Sequence, residues 1–232
     1  AFPAFSGLTG DSMAVAQAVD FFSRAYWLRD PEGVLHPLPL PAKITPMGVY
    51  KGDLALVLEQ DWAPGGQTFN NGDLILISPE GLFERREIEN ARLLYRPADD
   101  ERIEAFRLLD NIIHLNLLKN LRGRIITIAD DNGDFTPSLL EDFPDGFIQF
   151  GPTTPDGKGV LAVYEGPLTP PALYHVEGGS GEKTLIAQQS PAFDMEGLTE
   201  EIRYVTSEDG TQIPYTIMYR EGMAPDGSHP TV

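Results

Sequence analysis

The chain has 232 residues, enough to bury a sizeable core as one large all-β domain or as a domain with part of another. Its 17 basic against 35 acidic side chains give a formal charge of −18, which repels phosphate backbones and anionic lipid head groups and so argues against nucleic acid and membrane partners. With no cysteine there is no disulfide, no thiolate nucleophile and no zinc-thiolate site. The opening residues, AFPAFSGLTGDSM, lack a basic stretch followed by an apolar core, and no later run approaches the roughly 18 apolar residues of a membrane helix. A soluble chain is expected, with any targeting peptide removed or lying upstream, and the compartment stays open between cytoplasm and periplasm.

The 23 glycines and 20 prolines are spread as punctuation between short apolar segments, which favours many short strands over a few long helices. In chain order the segments are Phe22–Leu28, a turn over Asp30–Gly33, and Val34–Leu38, then Met47–Tyr50, Leu54–Leu58 and Leu74–Ile77. Ile103–Leu108, Ile112–Leu117 and Arg124–Ile128 follow, then Phe147–Phe150, Val160–Tyr164 and Ala172–Val176. Such recurrence, with turn chemistry between, is the pattern of a sandwich, barrel or propeller. Groups of strands begin near Met13, Met47, Ile103 and Phe147, close to the 40–50 residues of a four-stranded propeller blade. No repeated signature accompanies this rhythm, and a pair of β-sandwiches is the competing architecture.

From about Ala192 the composition changes. An acidic stretch, Asp194–Glu201, leads into VTSEDGTQIPYTIM (Val205–Met218), which reads as a complete β-hairpin turning at Glu208-Asp209-Gly210. A polar loop over Arg220–Ser228 follows, and Pro230–Val232 has the look of a strand beginning. The expected boundary lies between Pro191 and Gly197, dividing residues 1–192 from residues 193–232.

Several stretches imitate functional motifs. Gly178–Glu182 (GGSGE) approaches the Gly-x-Ser-x-Gly turn of a serine hydrolase, but Glu182 replaces the last glycine and no helix pattern follows, so it reads as a hairpin turn. It also imitates a phosphate-binding loop, and there Glu182 before Lys183 would oppose a phosphate. Asp130, Asn132, Asp134 and Glu141 fall at the first, third, fifth and twelfth positions of a calcium loop, with Phe135 where the sharp-turning glycine belongs. Asn132-Gly133 is equally an ordinary hairpin turn. His36, His114, His175 and His229 share no ligand spacing, and His114 and His175 fall inside strand patterns, where a structural role is expected. Trp62 suits either a sugar or peptide site or packing against the turn at Gly65-Gly66.

The terminal residues carry a resemblance. PAFD (Pro191–Asp194), EEIRYVTSEDGTQIPY (Glu200–Tyr215) and DGSHPTV (Asp226–Val232) resemble the junction, in the prolyl oligopeptidase family of serine peptidases, between a seven-bladed propeller and a hydrolase domain. Upstream, Asp61–Gly66 with Asn71–Leu74, Leu118–Arg124 and Tyr164–Pro171 are similar to propeller segments of its bacterial members. The resemblance implies about four propeller blades over residues 1–192 and the first hairpin of an α/β-hydrolase domain over residues 193–232. It implies that nucleophile, acid and base follow Val232, so no catalytic, cofactor-binding or metal-binding residue is assigned and the chain alone is expected to be inactive. The implied role is to gate the access of short, proline-containing peptides. A cut ring of blades is also expected to self-associate. Two alternatives stand beside this reading: a self-contained binding module without catalysis, and a Ca²⁺-stabilised β domain.

Overall fold

The computed structural model describes residues 2–5, 13–30, 32–78, 87–88, 90–109, 112–140, 146–224 and 226–229. Its strands form four antiparallel meanders and one hairpin. The first sheet is β1 (Phe2–Phe5), β2 (Met13–Ala18), β3 (Arg24–Arg29) and β4 (Leu35–Leu38), and the second is β5 (Ile44–Tyr50), β6 (Asp53–Leu58), β7 (Leu74–Ile77) and β8 (Ala91–Tyr95). The third comprises β9 (Glu101–Leu109), β10 (Ile112–Lys119), β11 (Arg122–Asp131) and β12 (Asp134–Leu140). The fourth comprises β13 (Phe147–Thr153), β14 (Gly159–Gly166), β15 (Thr169–Glu177) and β16 (Lys183–Gln188). The hairpin is β17 (Leu198–Thr206) and β18 (Gln212–Arg220).

The first strands of the four sheets lie side by side: β1 touches β5, β5 touches β9, and β9 touches β13. The meanders therefore radiate from one inner rim and stack face on face, as consecutive blades of a partial β-propeller. Along β6, Leu54, Leu56 and Leu58 face the first sheet while Ala55 and Val57 face the third. On β7, Ile75 and Ile77 face the first sheet and Leu74 and Leu76 the third. A strand covered on both faces has no polar side to show, which is why these segments read as unbroken apolar runs. The same observation excludes a pair of sandwiches, whose sheets each keep one face toward solvent.

The third and fourth sheets meet differently. Leu109 and Ile125 pack on Ile148, Phe150, Val160, Ala162, Tyr164 and Val176, the smallest of the three apolar clusters among the described residues. Two buried polar side chains of β10 cross this seam: the Asn116 amide donates to the Ile148 carbonyl at 2.7 Å, and His114 Nε2 to the Gly178 carbonyl at 3.1 Å. The backbones also approach closely, with Gly123 N–H on the Gly146 carbonyl at 2.5 Å.

At the ends of the stack, Val15 and Trp27 face away from the first core, and Val163 and Leu173 away from the last. Among the described residues no further sheet covers either face.

The expected strands are present, accompanied by several that the sequence pattern does not announce. β12 and β16 are outer strands whose side chains are mostly exposed, and β12 carries Pro137 at its free edge, while the outer strand β8 buries only Ala91 and Leu94 and exposes Arg92 and Leu93, so all three lack a clear apolar signal. Phe22 is not in a strand. Asp20 Oδ1 accepts the backbone N–H groups of Phe22 and Ser23, both at 2.8 Å, and this Asx-type turn delays β3 to Arg24. The strand expected at Pro230–Val232 lies outside the described residues.

The third seam generates a contrast between two glycines. A Cβ on Gly123 would lie 2.7 Å from Ile148 Cγ1 and 2.8 Å from Ile148 N, whereas one on Gly179 would meet nothing within 4 Å. Gly123→Ala is therefore expected to cost about 1–3 kcal/mol in urea unfolding. Gly179→Ala should stay within about 0.5 kcal/mol.

Candidate functional face and clefts

In each meander the turn between second and third strands lies at the end where the first strand begins. Successive sheets keep this sense: Arg24 N–H, opening β3, donates to the Ala42 carbonyl just before β5, and Gly123, opening β11, bonds Gly146 just before β13. The β2–β3, β6–β7, β10–β11 and β14–β15 turns thus share one end of the stack.

The terminal hairpin sits at that end. Glu200 of β17 accepts the Leu168 N–H of the β14–β15 turn at 3.1 Å. Between hairpin and stack runs a cleft of about 350 Å³ lined by Leu121, Arg122, Phe147, Glu165, Glu200 and Ile202. A second, of about 300 Å³, is lined by Lys119, Asn120, Arg122, Arg124, Ile202 and Tyr204. In a chain of charge −18, these clefts gather cationic side chains of β10 and β11 opposite the acidic start of β17. Lys119 is held by Glu101 at 3.1 Å and Asp100 at 3.3 Å, which raises its pKa and fixes it as a cation.

The motif-like stretches lie elsewhere and are engaged structurally. Asp130 is at the opposite end, in the last residues of β11 beside the β11–β12 turn. Its Oδ2 accepts Lys51 Nζ at 2.7 Å and the Tyr50 hydroxyl at 2.6 Å, and its Oδ1 accepts Gly133 N–H at 2.7 Å. The lysine and tyrosine hydrogen bonds hold its pKa down to about 2. Asn132 and Gly133 take positive φ values of 55° and 101°, the geometry of a tight hairpin turn, and Asn132 donates to Asp131. Glu141 lies outside the described residues. Among the described residues no three histidine or acidic side chains gather as a metal site.

Ser180 lies in the β15–β16 turn, where its hydroxyl donates to Glu177 at 2.6 Å and accepts the Glu182 N–H at 3.0 Å, with Lys183 opening β16. The histidines sit on separate elements. His36 of β4 bonds Asp30 at 2.7 Å, His114 is buried in the third seam, His175 lies on β15 against Gly159, and His229 is exposed in the C-terminal loop. Trp62 and Phe69 bond each other's backbones across the β6–β7 loop, and Trp62 packs on the core between the first and second sheets. Phe22, expected at the start of a strand, and its neighbour Phe21 stand exposed on the β2–β3 turn. The available signal was Asp20, two residues before Phe22, an Asx-turn spacing.

No family model matches the chain. An uncharacterized peptidase of Sinorhizobium fredii is 26% identical over 197 residues, 84% of this chain and 27% of that protein. An uncharacterized peptidase of Rickettsia prowazekii is 23% identical over 218 residues, 92% of this chain and 30% of that protein. A structure of a post-proline cleaving enzyme from Rickettsia typhi superposes with a TM-score of 0.79 at 19% identity, over 94% of this chain and 32% of that one. The chain is related to the prolyl oligopeptidase family. It spans less than a third of the length of those two relatives. The Rickettsia typhi structure shares the fold of this chain over that stretch.

His114 also sets a pH dependence. Burial pushes its pKa below the usual value of 6.5. A depressed folded value means that the neutral ring contributes stability above the unfolded pKa, and that this contribution is lost as pH falls through the folded one. His114→Gln offers an amide donor that does not titrate, and between pH 7 and pH 5 its urea midpoint is expected to fall less steeply than that of the wild type. Parallel profiles would show that the ring does not titrate with folding.

Proposed function

We propose that this chain is the gating portion of a prolyl oligopeptidase-like serine peptidase, with nucleophile, acid and base carried outside residues 1–232. Residues 1–192 are the propeller part, and residues 193–232 open the hydrolase domain. The observation that carries the reading is the match of 84–94% of the chain, in sequence and in fold, to about 30% of proteins called peptidases or post-proline cleaving enzymes. The hairpin adds support. Its two nine-residue strands pair only with each other among the described residues and expose Tyr204, Val205, Ile213, Tyr215 and Met218. An isolated hairpin of this kind needs another layer to be stable.

In this reading the propeller covers the hydrolase site, excludes water and large substrates, and admits short peptides, including proline-containing ones. A dry, enclosed site strengthens each electrostatic contact to the developing oxyanion.

A fluorophosphonate probe should label the product of the native reading frame, while residues 1–232 remain unlabelled and fail to hydrolyse a proline-containing chromogenic peptide. Labelling or serine-inhibitor-sensitive turnover by residues 1–232 would overturn the assignment. The uncovered faces of the end sheets lead to a second expectation: residues 1–232 self-associate, so light scattering should give a mass that rises with concentration. A constant monomer mass at high concentration would contradict the cut-ring picture.

A further inference from the structure

We propose that the Phe21–Phe22 tip of the β2–β3 turn is a docking contact for the protein layer that the β17–β18 hairpin opens. The inference deepens the reading above and rests on it for the identity of that layer.

The tip is built to present both rings. Phe21 is 91% exposed and Phe22 77%, and the two rings meet edge to face with centroids 4.9 Å apart. The turn beneath them is pinned by Asp20 Oδ1, which accepts two backbone N–H groups, and by Val19 N–H on the Ser23 carbonyl at 3.1 Å. An ordered turn that projects two adjacent phenyl rings into water is uncommon on a finished surface and marks a contact site.

Position identifies the occupant. The β2–β3 turn stands at the same end of the stack as the hairpin, and two of the four turns at that end already meet it. Leu168 of the β14–β15 turn bonds Glu200, and Leu121 of the β10–β11 turn lines the cleft beneath β17. The tip lies on the sheet farthest along the stack from those contacts, with the Trp62–Phe69 bridge of the β6–β7 loop between. A layer that grows from the hairpin across this end spans the remaining turns and covers the rings. The relatives carry more than two thirds of their length outside the matched stretch, ample for such a layer.

Chymotrypsin, which cleaves after exposed phenylalanine, tests the contact directly. At equal concentration, cleavage at Phe21 and Phe22 should be at least about tenfold faster in residues 1–232 than in the product of the native reading frame, and protection in the longer product should persist on dilution. Phe21→Ser with Phe22→Ser should leave the melting temperature of residues 1–232 unchanged and lower that of the longer product. Equal cleavage of the two proteins, or a reading frame that ends at Val232, would overturn the proposal. Protection that disappears on dilution would also overturn it and make a second copy of the chain the occupant. Fluorophosphonate labelling reports separately: a labelled product with an unprotected tip overturns the docking contact alone, and an unlabelled product with a protected tip overturns the peptidase reading alone.

Discussion

The structure depends on one constraint: a sheet inside the stack must bury both of its faces. Each inner strand therefore serves two cores at once, as β6 does with Leu54, Leu56 and Leu58 on one side and Ala55 and Val57 on the other. The long side chains point to the first sheet and the shorter ones to the third. Shifting such a strand by one residue would exchange the two sets and mispack both seams, so register is fixed more tightly here than in a sheet with a solvent face. The uncovered faces of the outermost sheets are the complement of this rule.

The seams achieve their cohesion differently. Between the second and third sheets an apolar core is stapled at both ends by a carboxylate. Asp130 accepts Tyr50, Lys51 and the Gly133 N–H at one end. Glu101 accepts Tyr95, Lys119 and the Ala98 N–H at the other. Burial and the adjacent Glu101 charge push the Tyr95 hydroxyl up to about 12, so it remains a donor at any ordinary pH. Between the third and fourth sheets the apolar cluster is smaller, and His114, Asn116 and close backbone contacts contribute in its place. Buried neutral hydrogen bonds depend more steeply on geometry than apolar packing does, so this seam holds one alignment and tolerates displacement poorly.

How much of this was legible in the sequence follows from the same constraint. LALVL and LILI announced themselves because a strand buried on both faces has an uninterrupted apolar pattern, and the terminal hairpin because Glu208-Asp209-Gly210 is strong turn chemistry between alternating strands. Lys183–Gln188 was silent because an outer strand shows side chains to water and loses its pattern. His114 could be placed in a strand, but its partner is 64 residues away, and no local rule connects them. The β2–β3 tip misled because Phe22-Ser-Arg-Ala-Tyr-Trp-Leu28 alternates plausibly, while the carboxylate of Asp20 decides that the first two residues belong to a turn. The match to the terminal junction was legible for another reason: a run of ten residues, Thr206–Tyr215, constrains both a turn and the two strands that leave it.

The two ends of the stack then have unlike uses. At the end of the Asp130 turn, Lys51 and Arg92 pair with Asp130 and Asp53, and the Arg92 guanidinium also lies over the Phe135 ring at 5.7 Å. Cations, carboxylates and aromatic surface satisfy one another there, with the second and third sheets tied together. At the hairpin end, two clefts open beside the third seam, Leu121 and the Phe21–Phe22 tip stand exposed, and Glu200 and Glu201 of β17 line the same cleft as Arg122. The Gly123–Gly146 approach and the Asn116 bond to Ile148 lie at this same end, where β11 and β13 begin. The hairpin therefore borders the seam with the smallest apolar cluster and the most exacting hydrogen bonds.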